Sequence, residues 1–214
     1  MTVPGRHTFG WIVVLLFAVL SLRAQQSVPV YLEGEIGGRL FSNASIRSVF
    51  PAGAAFRLGA ALALADEGRL RLRPQGGVTF FSNQIDEDIT EQLLVVKGGM
   101  EVSYDAYFVG RTTFFPYAAL DYNWVFNFDM ESYGEDDVSY SENYLRGNGL
   151  SQEVGLRVQV GEWYVKAGYE FFKPRLRVQR SLINDDLESG YVTPSSHVFL
   201  LNTVNISVGF SIQP

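Results

Sequence analysis

The chain has 214 residues, 23 acidic against 17 basic side chains, and no cysteine. One domain's worth of chain with a net charge of −6 argues against nucleic-acid binding, which needs a basic stripe. Disulfides, Cys-ligated metals and acylation on a cysteine are excluded outright.

The N-terminus carries Arg6 and His7, then the apolar run from Trp11 to Leu20. That run is shorter than the roughly 20 residues a membrane-spanning helix needs. It fits the core of a secretory signal peptide, with cleavage expected after Ala24. The expected organisation is a signal peptide over 1–24 and one β-barrel domain over 25–214. Removing residues 1–24 takes away Arg6 and Arg23 and no acid, leaving fifteen basic side chains against twenty-three acidic ones.

Eight segments then alternate with the two-residue period of a strand that has one apolar and one polar face. The first covers about 30–41, with Val30, Leu32, Ile36 and Leu40 opposite Tyr31, Glu33, Glu35 and Arg39. The second, about 52–65, directs Phe56, Leu58, Ala60, Leu62 and Leu64 outward and Arg57 inward. Asp66-Glu67-Gly68 makes a short turn to the third, about 69–81, where Leu70, Leu72, Val78 and Phe80 oppose Arg69, Arg71, Arg73 and Gln75. The fourth, about 92–104, sets Leu94, Val96, Met100, Val102 and Tyr104 against Lys97, Glu101 and Ser103. The fifth, about 111–128, sets Leu120, Tyr122, Trp124, Phe126 and Phe128 against Asp121, Asn123 and Asn127. The sixth, about 150–160, opposes Val154, Leu156 and Val158 to Glu153, Arg157 and Gln159, and Gly161-Glu162 is a two-residue hairpin turn. The seventh, about 163–172, opposes Val165, Ala167, Tyr169 and Phe171 to Lys166 and Glu170, with a continuation past a bulge at Pro174 through Leu176 and Val178. The eighth, about 197–212, ends on the strictest alternation of all, Val204, Ile206, Val208, Phe210 and Ile212 against Asn205, Ser207 and Gly209.

Connections after the second and sixth segments are short, while those at about 42–51, 82–91, 129–149 and 181–196 are long. Outer-membrane barrels sort their loops this way. The expected fold is all-β, a transmembrane antiparallel up-and-down β-barrel of eight strands. A ten-stranded barrel and a soluble β-sandwich are the alternatives. Pro74, Pro116 and Pro174 are expected at bulges or strand ends near the rims, because a closed barrel has no free edge to host them.

Four constellations could carry chemistry. Glu33, Glu35, Arg39, Arg57, Arg71, Arg73, Lys97, Glu101, Asp121, Glu153, Arg157, Lys166 and Glu170 all have inward parity. A lumen of eight strands is just wide enough for its own side chains, so these charges are expected to pair into a plug, with a charged pore as the alternative. Outward aromatics near strand ends (Phe80, Phe128, Tyr104, Trp163, Phe210) suggest girdles at headgroup level, whereas Tyr31, Phe41 and Phe199 have inward parity. Acids cluster in the long loops at Asp86, Glu87 and Asp88, at 129–142, and at Asp185, Asp186 and Glu188. They lack EF-hand spacing, so no metal is assigned. Ser195, Ser196 and His197 are the one serine–histidine grouping, but adjacent strand residues face opposite ways, so no catalytic residue is assigned.

With these strands and the ending Val208-Gly209-Phe210-Ser211-Ile212, the chain resembles the small eight-stranded outer-membrane barrels. It is similar to the transmembrane domain of outer membrane protein A and to outer membrane protein X. The ending resembles the C-terminal signal read by the barrel assembly machinery, although it runs on to Gln213-Pro214. The resemblance implies a Gram-negative outer-membrane location with periplasmic termini, and membrane lipid and lipopolysaccharide as partners. The chain is expected to be monomeric and non-enzymatic, without cofactor or nucleic acid, in a structural or surface-interaction role. A narrow pore and a lipid-modifying enzyme are the other readings. The family motif is architectural, so it carries over no active-site residue.

Overall fold

A computed structural model describes residues 29–64, 69–84, 89–133, 137–140, 145–178 and 196–213. The expected signal peptide, the turn at 66–68 and the acids at 86–88, 135–136, 142 and 185–188 lie outside them. Eight strands form the staves: β1 (Val30–Phe41), β2 (Gly53–Leu64), β3 (Leu70–Gln84), β4 (Ile89–Tyr104), β6 (Thr112–Tyr133), β8 (Leu145–Val160), β9 (Trp163–Phe172) and β12 (Thr203–Ile212). Each pairs antiparallel with its neighbours, and β12 returns to pair with β1 from Leu32–Ile212 to Phe41–Thr203. The chain is a closed eight-stranded β-barrel. Closure removes both the sandwich and the ten-stranded alternative, and leaves no sheet edge along the staves.

Four short strands add to the staves: β5 (Tyr107–Val109), β7 (Asp137–Tyr140), β10 (Arg175–Val178) and β11 (Ser196–Val198). At the turn end of the barrel, β8 and β9 join through Gly161-Glu162, and β5 and β6 through Gly110-Arg111. Gly161 (φ 62°) and Gly110 (φ 60°) supply the left-handed backbone these tight turns require. Ser103 faces Tyr117 whereas Tyr107 faces Phe114, so one extra residue at Asp105–Ala106 forms a bulge.

The loop end departs from expectation. Two of the expected long loops are largely paired backbone. β3 and β4 extend to Gln84 and Ile89, and β6 reaches Tyr133 and pairs with β7. Ladder hydrogen bonding thus continues through sequence whose alternation is poor. The connection 42–52 instead holds a short helix, α1 (Ala44–Val49), with the Asn43 side chain accepting from the Ser45 N–H at 3.0 Å.

The prolines also correct the expectation of bulges. Pro74 lies well inside β3, and the register on either side is unchanged, Gly59 facing Gln75 and Leu62 facing Leu72. Only the ladder between them is interrupted, as the missing N–H requires. Pro116 likewise faces Leu156 in register. Pro174 separates β9 from β10 without a bulge, because Ser151 faces Phe172 and Asn148 faces Arg175. Its missing N–H breaks the opposite strand too, so the expected eighth strand divides into β11 and β12. Phe199 and Leu201 still donate to the carbonyls of Pro174 and Phe172 at 3.0 and 2.9 Å.

The two faces follow parity. Ile36, Ile206, Leu156 and Val165 point out, Ile36 being 68% exposed, while Asn205 and Thr203 are buried inside. Leu62 is an exception on the outer face, buried against Val30.

Candidate functional site in the barrel lumen

The interior is where this sequence concentrates its chemistry. Every one of the thirteen inward charges singled out above lies in the lumen, twelve of them buried and Arg71 half-buried near the turn end. The twelve buried ones divide into six cations and six carboxylates; Asp105, re-aimed at the bulge, pairs with Arg71, and Glu91 accepts from the inward Asn127 amide at 3.0 Å at the loop end. Equal numbers of the two charges among these buried groups avoid an uncompensated ion, which would cost several kcal/mol.

Glu153 on β8 is the hub. It meets Arg57, Arg39 at 3.5 Å and Lys166 at 4.0 Å, and accepts from the Tyr117 hydroxyl at 2.8 Å. Arg39 also donates to Glu170, which receives Lys97 at 2.7 Å and the Thr203 hydroxyl at 3.3 Å. Glu153 and Glu170 are direct cross-strand partners, a like-charge pair that would be unfavourable alone. Arg39 on β1, two staves from Glu170 and three from Glu153, bridges them.

Toward the turn end, Arg73 reaches Glu33 and Glu35 at 3.3 Å each and Glu101 at 3.7 Å. Lys166 donates to Glu101 at 2.5 Å, and Arg157 to Glu33 at 2.8 Å. Arg57 closes the circuit on Glu35 at 3.4 Å. Aromatic faces hold the cations from the side: Arg157 lies 3.7 Å from the Tyr164 centroid and Lys166 4.2 Å from that of Tyr117. At the mouth, Arg71 stacks between Tyr31 and Phe115 and pairs with Asp105 at 3.9 Å. Burial raises the Asp105 carboxyl above its ordinary value, with Arg71 opposing the shift.

Asp121 accepts from Gln75 at 3.0 Å and shares a buried trio with Glu153 and Glu170, ligand oxygens lying within 4.8 Å of one another. Arg39, Arg57 and Lys97 already occupy Glu153 and Glu170, so this trio is the anionic centre of the ion-pair network. Two internal cavities of about 10 Å³ each, one beside Glu153 and one beside Lys97, have room for about one water apiece.

Above the charges lies a layer that parity alone did not reveal. Phe41, Phe81, Leu93, Val95, Val125, Phe172, Leu176 and Leu201 fill the loop end of the lumen as one apolar cluster. Phe41 stacks on Phe81 with centroids 4.3 Å apart, and Phe50, just past α1, closes over Phe81 at 6.4 Å. Phe199 packs against the same cluster. The inward parity of Phe41 and Phe199 is therefore a core position and not a failed girdle. The sequence signal was the loss of alternation in Phe80-Phe81, Leu93–Val96, Trp124–Phe126 and Phe171-Phe172. All four runs lie at the same end of their staves.

The outward aromatics fall at both ends of the apolar wall. Trp163 meets Phe210 edge-on at 6.5 Å at the turn end, and Tyr122–Trp124 and Tyr169–Phe171 pair at 4.8 and 4.7 Å toward the loop end. Among the described residues no serine–histidine pair is assembled: Ser196 and His197 are neighbours on β11 with opposite directions, and Ser195 lies outside the described residues.

No family model matches this chain, and no curated protein sequence does. Among solved structures it is similar to Neisserial surface protein A, with 16% identity, a TM-score of 0.43 and 86% of this chain covering 97% of that one. It is also similar to a major outer membrane protein from Thermus thermophilus, with 14% identity, a TM-score of 0.45 and coverage of 86% and 99%. A third is Ail, the attachment invasion locus protein of Yersinia pestis, with 7% identity, a TM-score of 0.42 and coverage of 86% and 97%.

Proposed function

We propose that this chain is a non-enzymatic outer-membrane protein of a Gram-negative bacterium, a closed barrel whose work is structural or interactive at the cell surface. The observation that carries the reading is the inside-out distribution of side chains: ion pairs and an apolar stopper within, and an apolar wall without. From Val160 to Leu150 on β8, ten rises of about 3.4 Å tilted by about 40° climb about 26 Å, close to the apolar band of membrane barrels. Aromatic pairs at both limits of that band fit headgroup level. An even number of staves puts the start of β1 and the end of β12 at the turn end, the periplasmic side in this reading.

The interior supports a closed state. Among the described residues, water-sized cavities and an interlocked charge layer fill the lumen and favour a barrel without a continuous aqueous path. Refolded protein in lipid vesicles is expected to show a heat-dependent gel mobility shift and, in planar bilayers, no reproducible conductance steps. Steady steps of uniform size would overturn the closed reading in favour of a narrow pore. Complete extraction from vesicles by alkaline carbonate would overturn the membrane reading itself.

A further inference from the structure

Among the described residues, seven basic side chains lie outside the lumen, and four of them gather on one small area of the outer wall. These are Arg146 on β8, Lys173 between β9 and β10, and Arg175 and Arg177 on β10, all exposed. The intervening Pro174 and Leu176 are buried, which fixes the outward direction of the three on the β9–β10 side. Register makes the crowding explicit. Arg177 sits directly across from Arg146, and Arg175 across from Asn148. Directly opposed like charges on a sheet are destabilising, and none of the four has a carboxylate partner among the described residues. Arg146 has instead the face of Phe126, 5.6 Å from its ring centroid.

The height of this cluster matters as much as its charge. Lys173 is level with Leu150, where the apolar band of β8 ends, and Phe171 is the last outward apolar residue of β9. Arg175 stands about 5 Å higher along the strand and the Arg177–Arg146 pair about 10 Å higher. The headgroup zone adds about 5–8 Å to each side of the hydrocarbon core, so Lys173 and Arg175 start within that zone and the Arg177–Arg146 pair stands just above its outer edge, with side chains long enough to reach back into it. On the same wall Tyr169 and Phe171 lie beneath them, while Tyr122 is level with Lys173 and Trp124 with Arg175.

We infer that Arg146, Lys173, Arg175 and Arg177 form a docking site for the phosphates of a phosphorylated glycolipid headgroup in the outer leaflet. This inference rests on the membrane reading above. The anion supplies the charge that the like-charged pair lacks, guanidinium forks match phosphate oxygens in pairs, and the acyl chains lie along the aromatic and aliphatic wall below. The site is a lateral lipid contact outside the barrel, independent of the sealed lumen.

The test uses protein refolded into phosphatidylcholine vesicles containing increasing mole fractions of diphosphorylated lipid A. The readout is the midpoint of the heat-dependent mobility shift. Lipid A is expected to raise the midpoint of the native sequence in a saturable manner. Changing Arg146, Lys173, Arg175 and Arg177 to Gln together should raise the half-saturating mole fraction about 700-fold, and Arg175→Gln with Arg177→Gln about 30-fold. Changing Arg47 and Arg111 to Gln should leave it within about twofold. Equal half-saturation in the fourfold variant and the native sequence would overturn the inference, as would an equal shift from inorganic phosphate at the same concentration. A protein that inserts yet ignores lipid A refutes this site alone, whereas one that carbonate extracts completely refutes the membrane reading.

Discussion

Glu153→Gln is the sharpest probe of a sealed interior. Glutamine keeps the volume and an oxygen that can accept the Tyr117 hydroxyl, now 2.8 Å from the carboxylate, so the substitution removes charge with little change of shape. The structure says what remains. Arg39 keeps Glu170, Lys166 keeps Glu101 at 2.5 Å, and Arg57 is left with Glu35 at 3.4 Å as its carboxylate partner. One cation is then in excess among the buried charges, beside cavities with room for about one water each. Removing one partner of a buried pair costs about 3–5 kcal/mol, and the surviving partners put this case near the lower figure, about 3 kcal/mol. In a hydrated lumen the same pairs would behave like exposed ones, at about 1 kcal/mol or less. Urea unfolding of vesicle-embedded protein, followed by tryptophan emission and gel mobility, measures the difference. Adding Arg57→Met should recover most of the loss, because it removes the excess charge. A Glu153→Gln protein within about 1 kcal/mol of the native sequence would refute the dry, interlocked lumen.

Four further outcomes test separate parts of the structure. Ile206→Arg places a charge on the apolar wall and should cost about 2–4 kcal/mol of vesicle stability if the residue lies near the midplane; a change under about 1 kcal/mol would contradict the outward direction of the even positions of β12. Asn205→Arg, buried beside Arg39 in this structure, should cost about 1–3 kcal/mol through overpacking, and a neutral result would again mean a hydrated lumen. Gly168→Ala sets a methyl group against the Tyr117 hydroxyl and 3.0 Å from the Val154 carbonyl, so unfolding should show a loss of about 1–3 kcal/mol. Phe50→Ala should admit an apolar fluorescent probe to the loop end of the lumen while bilayers still show no conductance, because the charge layer below is intact; current through that variant would mean that the apolar stopper alone closes the barrel.

The two-residue period revealed the staves because one face of each had to suit an apolar surround and the other a polar interior. It placed Glu153, Arg57 and their partners on the inward face before any geometry was known, since parity within a strand is rigid. Pairing across the barrel was not legible. That Arg39 on β1 would reach across the lumen to join Glu153 and Glu170 depends on shear and side-chain reach, which no single strand encodes. The prolines misled for a related reason. A missing N–H predicts a bulge or a strand end; Pro174 does stand between β9 and β10, yet both it and Pro74 leave the register intact and lose only local ladder bonds.

The apolar stopper shows where the alternation rule stops being sufficient. A strand buried on both faces gives a continuous apolar run, and Leu93–Val96 and Trp124–Phe126 are such runs. Read one stave at a time, they look like noise in the period. Read together, they fall at a common height, and only then do they imply that the lumen changes from charged to apolar along its axis. Phe50 then has a reason to be buried: α1, capped by Asn43, turns the chain back so that this ring covers the stopper. The two layers close the barrel by different physics. Loss of the ring weakens burial in proportion to apolar area, whereas loss of one carboxylate leaves an ion without its counter-charge. Glu153→Gln and Phe50→Ala should therefore fail in different ways, the first by lowering global stability and the second by opening the loop end to apolar probes without a path for ions.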